Sequence, residues 1–388
     1  MHLEVVESPQ KLLYIAHFDP GEVASGTSAR GRTMLQALQP HFDITLVCFS
    51  REKGRPASDE SIWKRVRRIA TPYSKLGYYG ISLRLLREAE GAIRDSRPDL
   101  ILADADKTGL YAWWLGRKYG IPFVYSSHNV EFERFLELAR TSPLRLLLVP
   151  WMWMVECLAL HRAAASIAIS ERDARRFRKL VPGARIEALP MAYDERLFHA
   201  SRVACVGPRP VILMVANYGY SPNLVAARAL MKHVIPQVVR ERPDVVFRFV
   251  GRGLPADFTH PNVQIAGLVE DLAAEYREAS VVVNPVKAGG GIKIKSVEAL
   301  ACGKCLVSTP DGMKGIDLKE IELVSIGPVE QFPSMILRAL SEGKYDTTAN
   351  QAMVQSAFGA QNQTQRLLGI LRGAVRQARI SAKPASGA

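Results

Sequence analysis

Long apolar runs, a cysteine framework and hydrolytic triads are all missing from this chain, and each absence closes off a class of protein. No uninterrupted apolar stretch reaches the roughly 20 residues that a membrane-spanning helix needs. The nearest approach, Leu146–Leu160, is broken by Pro150 and Glu156. With Trp151 and Trp153 inside it, this stretch reads as a core helix, with a shallow membrane contact as the alternative. The opening MHLEVVESPQ has neither the basic start nor the apolar core of a secretory signal, so a cytoplasmic location is expected. Five cysteines, an odd number without framework spacing, point to a reducing compartment. Cys302-Gly303-Lys304-Cys305 does form a C-x-x-C, yet it falls where a helix ends and a strand begins. There the helix dipole would oppose thiolate formation, and no second pair exists to complete a zinc site. No Ser-His-Asp or Cys-His arrangement and no clearly paired carboxylates are evident, which argues against a hydrolase.

What the chain does have is bulk, basic charge and alternation. Its 388 residues, 48% of them hydrophobic, suffice for two ordinary domains with full cores. A net charge of +13 calls for an anionic partner. No nucleic-acid motif accompanies it, so nucleic acid is not that partner. The charge is dense at Trp63-Lys64-Arg65-Val66-Arg67-Arg68, at Arg172 to Lys179, and in the tail around Arg366, Arg372, Arg376, Arg379 and Lys383. These are either solvated faces or, in the N-terminal half, contacts to an anionic membrane surface.

Strand and helix patterns alternate throughout, the mark of doubly wound α/β domains. One series of strands reads as Leu12–Ala16, Ile44–Phe49, Leu100–Ala103, Phe123–Ser126 and Ser166–Ile169, with a helix over Ala29–Leu38. A second series reads as Val211–Val215, Val245–Val250, Val281–Asn284 and Cys305–Ser308. The aperiodic stretch between them puts a domain boundary near 195–209. The expected division is an N-terminal domain over 1–200, a C-terminal domain over 201–365, and a last helix with a basic tail over 366–388. In Rossmann-like domains ligands bind beside the carboxyl ends of the strands. Every polar cluster singled out below follows a strand.

The densest of these is Val286 to Lys304, VKAGGGIKIKSVEALACGK. Gly289, Gly290 and Gly291 sit between a buried strand and a helix, where backbone N–H groups and the positive helix end face an anion. Lys293 and Lys295 are either solvated surface charges or the cations that neutralise a diphosphate. Glu298 is either an exposed carboxylate beside Lys295 or an acceptor for ribose hydroxyls. Gly303 stands where a helix C-cap favours glycine. Arg252, in Val250-Gly251-Arg252-Gly253, is a further cation after a strand. In the N-terminal half, His128 follows a strand beside Asn129 and Glu131, and Glu131 with Arg134 could equally be a charge pair at a helix start. Gly21 and Gly26 bracket a loop after the first strand, and Asp104, Asp106 and Lys107 follow another.

Four of these segments, in order, resemble family-4 glycosyltransferases of the GT-B fold. They are Ser127-His128-Asn129-Val130-Glu131, Asn217-Tyr218-Gly219-Tyr220-Ser221-Pro222-Asn223, the glycine run through Lys304, and Val307-Ser308-Thr309-Pro310-Asp311-Gly312 to Gly315. The resemblance spans about residues 12 to 375. It implies two Rossmann-like domains facing across a cleft, with the last helix crossing back to the first. It also implies a retaining transfer of sugar from a nucleotide diphosphate sugar to a hydroxyl acceptor, which would suit polysaccharide or glycolipid biosynthesis. Catalytic roles would fall to His128, Lys293 and Lys295. The donor would be held by Asn217, Arg252, Gly289, Gly290, Gly291, Ile292 and Glu298, the last as the ribose-binding glutamate of an E-x7-E motif. The first glutamate of that motif falls on Gly290. Gly21, Gly26 and Asp104 would line the acceptor side. Asp104-Ala105-Asp106 has the letters of a D-x-D metal motif but lies in the presumed acceptor domain, so neither a metal nor a cofactor is expected. A catalytically weak nucleotide-sugar-binding scaffold of the same fold is the alternative.

Overall fold

The computed structural model describes residues 9–21, 26–50, 63–73, 79, 81–105, 107–139, 143–190, 209–288, 292–316, 324–342 and 348–382. The chain divides into two compact units, one over Met1–Met191 with Gln363–Ala388 and the other over Ala192–Asn362. The expected boundary near 195–209 falls almost wholly on residues outside those described.

The first unit carries seven parallel strands in the order β3-β2-β1-β4-β5-β6-β7. They are β1 (Gln10–Ala16), β2 (Phe42–Ser50), β3 (Val66–Pro72), β4 (Leu100–Asp104), β5 (Phe123–Ser126), β6 (Ala165–Ala168) and β7 (Ile186–Ala188). Helices α1 (Gly26–Leu38), α2 (Leu83–Ser96), α3 (Thr108–Tyr119), α4 (Glu131–Ala139) and α6 (Glu171–Leu180) follow strands, while α5 (Val149–Arg162) follows α4. Both faces of the sheet are covered, as an all-parallel sheet requires. Along β1, Leu12, Tyr14 and Ala16 enter one core while Leu13 and Ile15 enter the other, the two-residue period of a strand buried on both sides.

The second unit has six parallel strands in the order β10-β9-β8-β11-β12-β13. They are β8 (Val211–Val215), β9 (Val246–Val250), β10 (Val263–Gly267), β11 (Val281–Asn284), β12 (Cys305–Ser308) and β13 (Val324–Ile326). Its helices are α7 (Ser221–Ala229), α8 (Ile235–Glu241), α9 (Leu272–Glu278), α10 (Ile294–Ala301), α11 (Phe332–Glu342) and α12 (Thr348–Phe358). A last helix, α13 (Ala360–Ala382), leaves this unit and buries Leu367, Leu368, Ile370, Leu371, Ala374 and Val375 in the core around Leu12 and Tyr14 of the first.

Two surface expectations change. The Trp63–Arg68 segment is not a free basic face: Trp63 is buried and Val66 opens β3. Arg65 pairs with Asp43 at 2.6 Å, Arg67 with Asp95 at 3.1 Å, and Arg68 with the buried Asp19. Arg178 pairs with Glu171 at 2.7 Å and Arg379 with Asp99 at 3.5 Å. These pairs neutralise the named arginines locally and leave the chain's net charge of +13 unchanged. The apolar stretch at Leu146–Leu160 forms most of α5, which buries Met152, Val155, Ala159 and Leu160 and exposes Trp153 and Met154. Among the described residues no helix is long and apolar enough to cross a membrane.

Candidate active site

In the first unit, strand register aligns Ala16, Asp104 and Ser126 in one row at the carboxyl edge. His128, two residues past β5, brings Nε2 to 2.7 Å from Asp104 Oδ1, and the Tyr14 hydroxyl donates to Oδ2 at 2.8 Å. Asp104 is 2% exposed. Burial alone would push its pKa up, but His128, Arg30 and Tyr14 outweigh that and hold it below the ordinary carboxylate value. Asp104 was expected to line an acceptor cleft. It is instead a buried support beneath His128, because both its oxygens are engaged by protein.

The neighbouring polar residues are consumed in the same way. Arg134 donates to both oxygens of Glu131 at 2.6–3.0 Å, and the buried Lys107 lies 3.8 Å away. Glu156, buried in α5, accepts from the Glu131 backbone N–H at 3.1 Å and so fastens the start of α4. Of the two readings for Glu131, the charge pair at a helix start is the one found. Lys107 is likewise buried, and Asp106 lies outside the described residues. Gly21 donates its N–H to Asp19 Oδ1 at 2.9 Å. Gly26 is the first residue of α1, while the loop between these glycines lies outside the described residues.

In the second unit, the glycine run Gly289-Gly290-Gly291 also lies outside the described residues, but both ends that carry it are defined. On the strand side, Asn284 is buried at the end of β11. Its Nδ2 donates to Ser296 Oγ at 2.8 Å and to the Gly312 carbonyl at 3.1 Å. Ser296 Oγ donates to that same carbonyl at 2.7 Å. These bonds tie β11, α10 and the loop after β12 into one frame. On the helix side, Lys293 is the N-cap residue of α10, and Ile292 is half-buried against the core beside it. Lys295 donates to Asn223 Oδ1 at 2.9 Å, and Asn223 Nδ2 donates to the Asn217 carbonyl at 2.8 Å. Burial and then the adjacent Lys293 lower the Lys295 pKa to about 8.

Glu298 lies further along α10 and accepts from the Tyr276 hydroxyl at 3.0 Å. Burial, then the charge of Glu298, keeps Tyr276 protonated well above its usual range, so it serves as a fixed donor that orients the carboxylate. Gly303 ends the helix with φ 62°, Gly303 N–H bonding Leu300 O and Lys304 N–H bonding Ala299 O. That is the Schellman arrangement, as glycine there predicts. Burial raises the thiols of Cys302 and Cys305 to about 12 and about 11, against any redox use of the C-x-x-C.

The loops after β8 and β9 meet closely. Tyr218 N–H donates to the Arg252 carbonyl at 2.8 Å. Gly251 has φ 123°, and a Cβ there would lie 1.8 Å from the Ala216 carbonyl oxygen, so only glycine permits this approach. Asn217, Gly219, Tyr220, Arg252 and Gly253 line a shallow depression of about 430 Å³. Sequence reading named Asn217, Arg252, the two lysines and Glu298. It missed Tyr14, Arg30 and Tyr276, which act from other elements, and Ser296, which lies on α10 between Lys295 and Glu298. Asn284 had a local signal: a polar amide ending a run of three valines.

Comparison with known proteins bears on both units. Residues 25–192 match the family described as glycosyl transferase 4-like domain, and residues 209–342 match glycosyl transferases group 1. No curated protein sequence matches the chain. Among solved structures, sucrose-phosphate synthase from Thermosynechococcus elongatus is similar with a TM-score of 0.73 at 18% identity, covering 96% of this chain and all of its own. Anabaena HepE in complex with UDP gives 0.68 at 17% identity, covering 94% and 100%. WaaG, a glycosyltransferase involved in lipopolysaccharide biosynthesis, gives 0.62 at 12% identity, covering 96% and 100%. With each half matched by its own family domain and the two parallel sheets shared with these structures, this chain belongs to the group 1 glycosyltransferases of the GT-B fold.

Proposed function

We propose that the protein transfers a sugar from a nucleoside diphosphate donor, held by the second unit, to a hydroxyl acceptor. The observation that carries this reading is the crowding of Lys293 and Lys295 at the first turn of α10. Burial and then the charge of Lys293 disfavour the charge of Lys295, a cost that a bound diphosphate would relieve. Glu298, oriented by Tyr276, is suited to accept from the ribose hydroxyls. A uridine diphosphate sugar is a reasonable first donor, since Anabaena HepE has been captured with UDP and with UDP-glucose.

In this reading the bond between the anomeric carbon and the diphosphate oxygen breaks, and its electron pair leaves with the diphosphate. Lys293 and Lys295 stabilise the charge that develops there, the role a metal ion plays in other transferases. The acceptor hydroxyl oxygen bonds the anomeric carbon from the same face, with retention, and its proton passes to the departing phosphate oxygen. His128 serves the transferring sugar. An acceptor in polysaccharide or glycolipid assembly would agree with the role described for WaaG. A binding protein without turnover is the second reading, favoured by Gly290 where the E-x7-E motif carries its first glutamate.

The test is a panel of nucleotide sugars scored first by thermal shift and then by release of free nucleoside diphosphate. We expect one donor to stabilise the protein and to be turned over. Lys293→Ala with Lys295→Ala should abolish release while changing the melting temperature of the free protein little. Stabilisation without release would favour the binding protein, and normal turnover by the double variant would place the diphosphate elsewhere.

A further inference from the structure

Lys295 is a half-buried cation held by an uncharged partner. Its Nζ donates to Asn223 Oδ1 at 2.9 Å; Asn223 lies on α7, which follows β8, whereas Lys295 lies on α10, which follows β11. Among the described residues Asn223 is the only hydrogen-bond acceptor of this ammonium, which has three N–H groups to give. The carboxamide is fixed from its other end. Asn223 Nδ2 donates to the Asn217 carbonyl at 2.8 Å, and Asn217 is itself tied down, its Oδ1 accepting from Gly219 N–H at 3.1 Å. A carbonyl cannot donate and an ammonium cannot accept, so Nδ2 must face Asn217 and Oδ1 must face Lys295.

The charged groups nearby leave the ammonium uncancelled. Lys293, two residues earlier, repels it, and Glu298, one turn on, attracts it more weakly. Glu298 is engaged by the Tyr276 hydroxyl of α9 at 3.0 Å, and that hydroxyl reaches the Lys295 backbone carbonyl at 3.4 Å, not the ammonium. Arg252, after β9, brings a further positive charge to the depression that Asn217 lines. Among the described residues no carboxylate forms an ion pair with Lys295.

We propose that Asn223 is a positioning residue for donor binding: its carboxamide holds Lys295 in place without cancelling the charge, leaving two N–H groups of the ammonium for an anionic ligand. The inference rests on the reading of Lys293 and Lys295 as the diphosphate site, and adds to it why the partner of Lys295 is an amide. A carboxylate at the same place would hold the lysine more firmly and occupy the charge that the ligand needs. An apolar side chain of the same size would take away the one acceptor and leave the ammonium unsupported.

Titration of full-length protein carrying 13C-labelled lysine tests this, with the Lys295 signal identified by its loss in Lys295→Met. In wild type that signal should titrate near pH 8 and move up when inorganic diphosphate is added. Asn223→Asp should move the titration of the free protein up toward the ordinary 10.5. It should also weaken diphosphate binding about tenfold or more, the scale of one lost charge-assisted hydrogen bond. Asn223→Leu should move the titration down and weaken binding as well, and it carries the test alone if Asn223→Asp does not fold. An amide with a merely structural role would not give these opposite shifts. The proposal is overturned if Lys295 titrates in either variant as it does in wild type, or if either binds diphosphate as tightly. If wild-type Lys295 ignores diphosphate and Lys295→Met binds it normally, the reading of the two lysines falls as well, a failure that the Asn223 variants alone would not produce.

Discussion

Lys295 shows how one side chain can report on a ligand. An ordinary lysine keeps its proton to about 10.5, whereas burial and Lys293 lower this one to about 8. A diphosphate at the first turn of α10 should restore the charge, so binding near pH 8 should draw a proton from solvent. Calorimetry in buffers of differing ionisation enthalpy should show that uptake at pH 8 and almost none at pH 6.5, where Lys295 is already protonated. Donor affinity should decline above pH 8. For stability the sign is the reverse of a paired lysine: between about 8 and 10.5 the unfolded chain binds more protons than the folded one. The contribution of Lys295 to stability therefore improves as pH rises through that window, and Lys295→Met should remove both effects. This residue was legible in the sequence because its partners Lys293 and Glu298 lie on the same short segment. The role of Asp104 was not, because Tyr14 lies 90 residues away and nothing local reveals the bond.

Segments separate along the same line. The central strands were visible as apolar runs, and Phe123–Ser126, Val211–Val215, Val281–Asn284 and Cys305–Ser308 have the expected limits. The four strands that the sequence did not announce, β3, β7, β10 and β13, are the two edges of each sheet. An edge strand is paired on one side and partly solvated, so it needs no apolar run and often carries charge. Thus β3 holds Arg67 and Arg68 and reads as a basic patch, while β7 and β13 have only three residues each. Glycines show a similar contrast between what a segment tolerates and what it requires. Gly251→Ala should cost about 2–4 kcal/mol, since the new Cβ would overlap the Ala216 carbonyl at a backbone angle alanine avoids. Gly91→Ala, inside α2 with open space around the new methyl, should instead stabilise by about 0.5–1 kcal/mol. Urea unfolding of the two variants beside wild type would settle the pair, and equal midpoints would contradict the close approach of the β8 and β9 loops.

At the scale of the whole molecule, chain order and packing disagree. The first unit is made of residues up to Met191 and again from Gln363, with the second unit inserted between. An amphipathic stripe such as that of α13 does not state which core it will fill, so its return to the first unit could be anticipated only through resemblance to relatives. Removing the chain from Gln363 onward should therefore weaken the first unit far more than the second. Hydrogen exchange would show it as lost protection in β1 and β4 with β8 and β11 still protected, and a uniform loss would mean the two units unfold together.

That insertion also sets an order of events during biosynthesis. When Met191 has been added, the apolar surface around Leu12 and Tyr14 that α13 will cover is still open. At about 5–20 residues per second, the ribosome needs on the order of ten to thirty seconds to make the second unit before the covering helix exists. By the end of that interval the second unit has all its own residues and can fold, while the first, begun earlier, still waits. The nascent chain thus carries a greasy patch whose cover arrives last, a natural station for a chaperone and the place where a stalled or prematurely ended chain would start to aggregate.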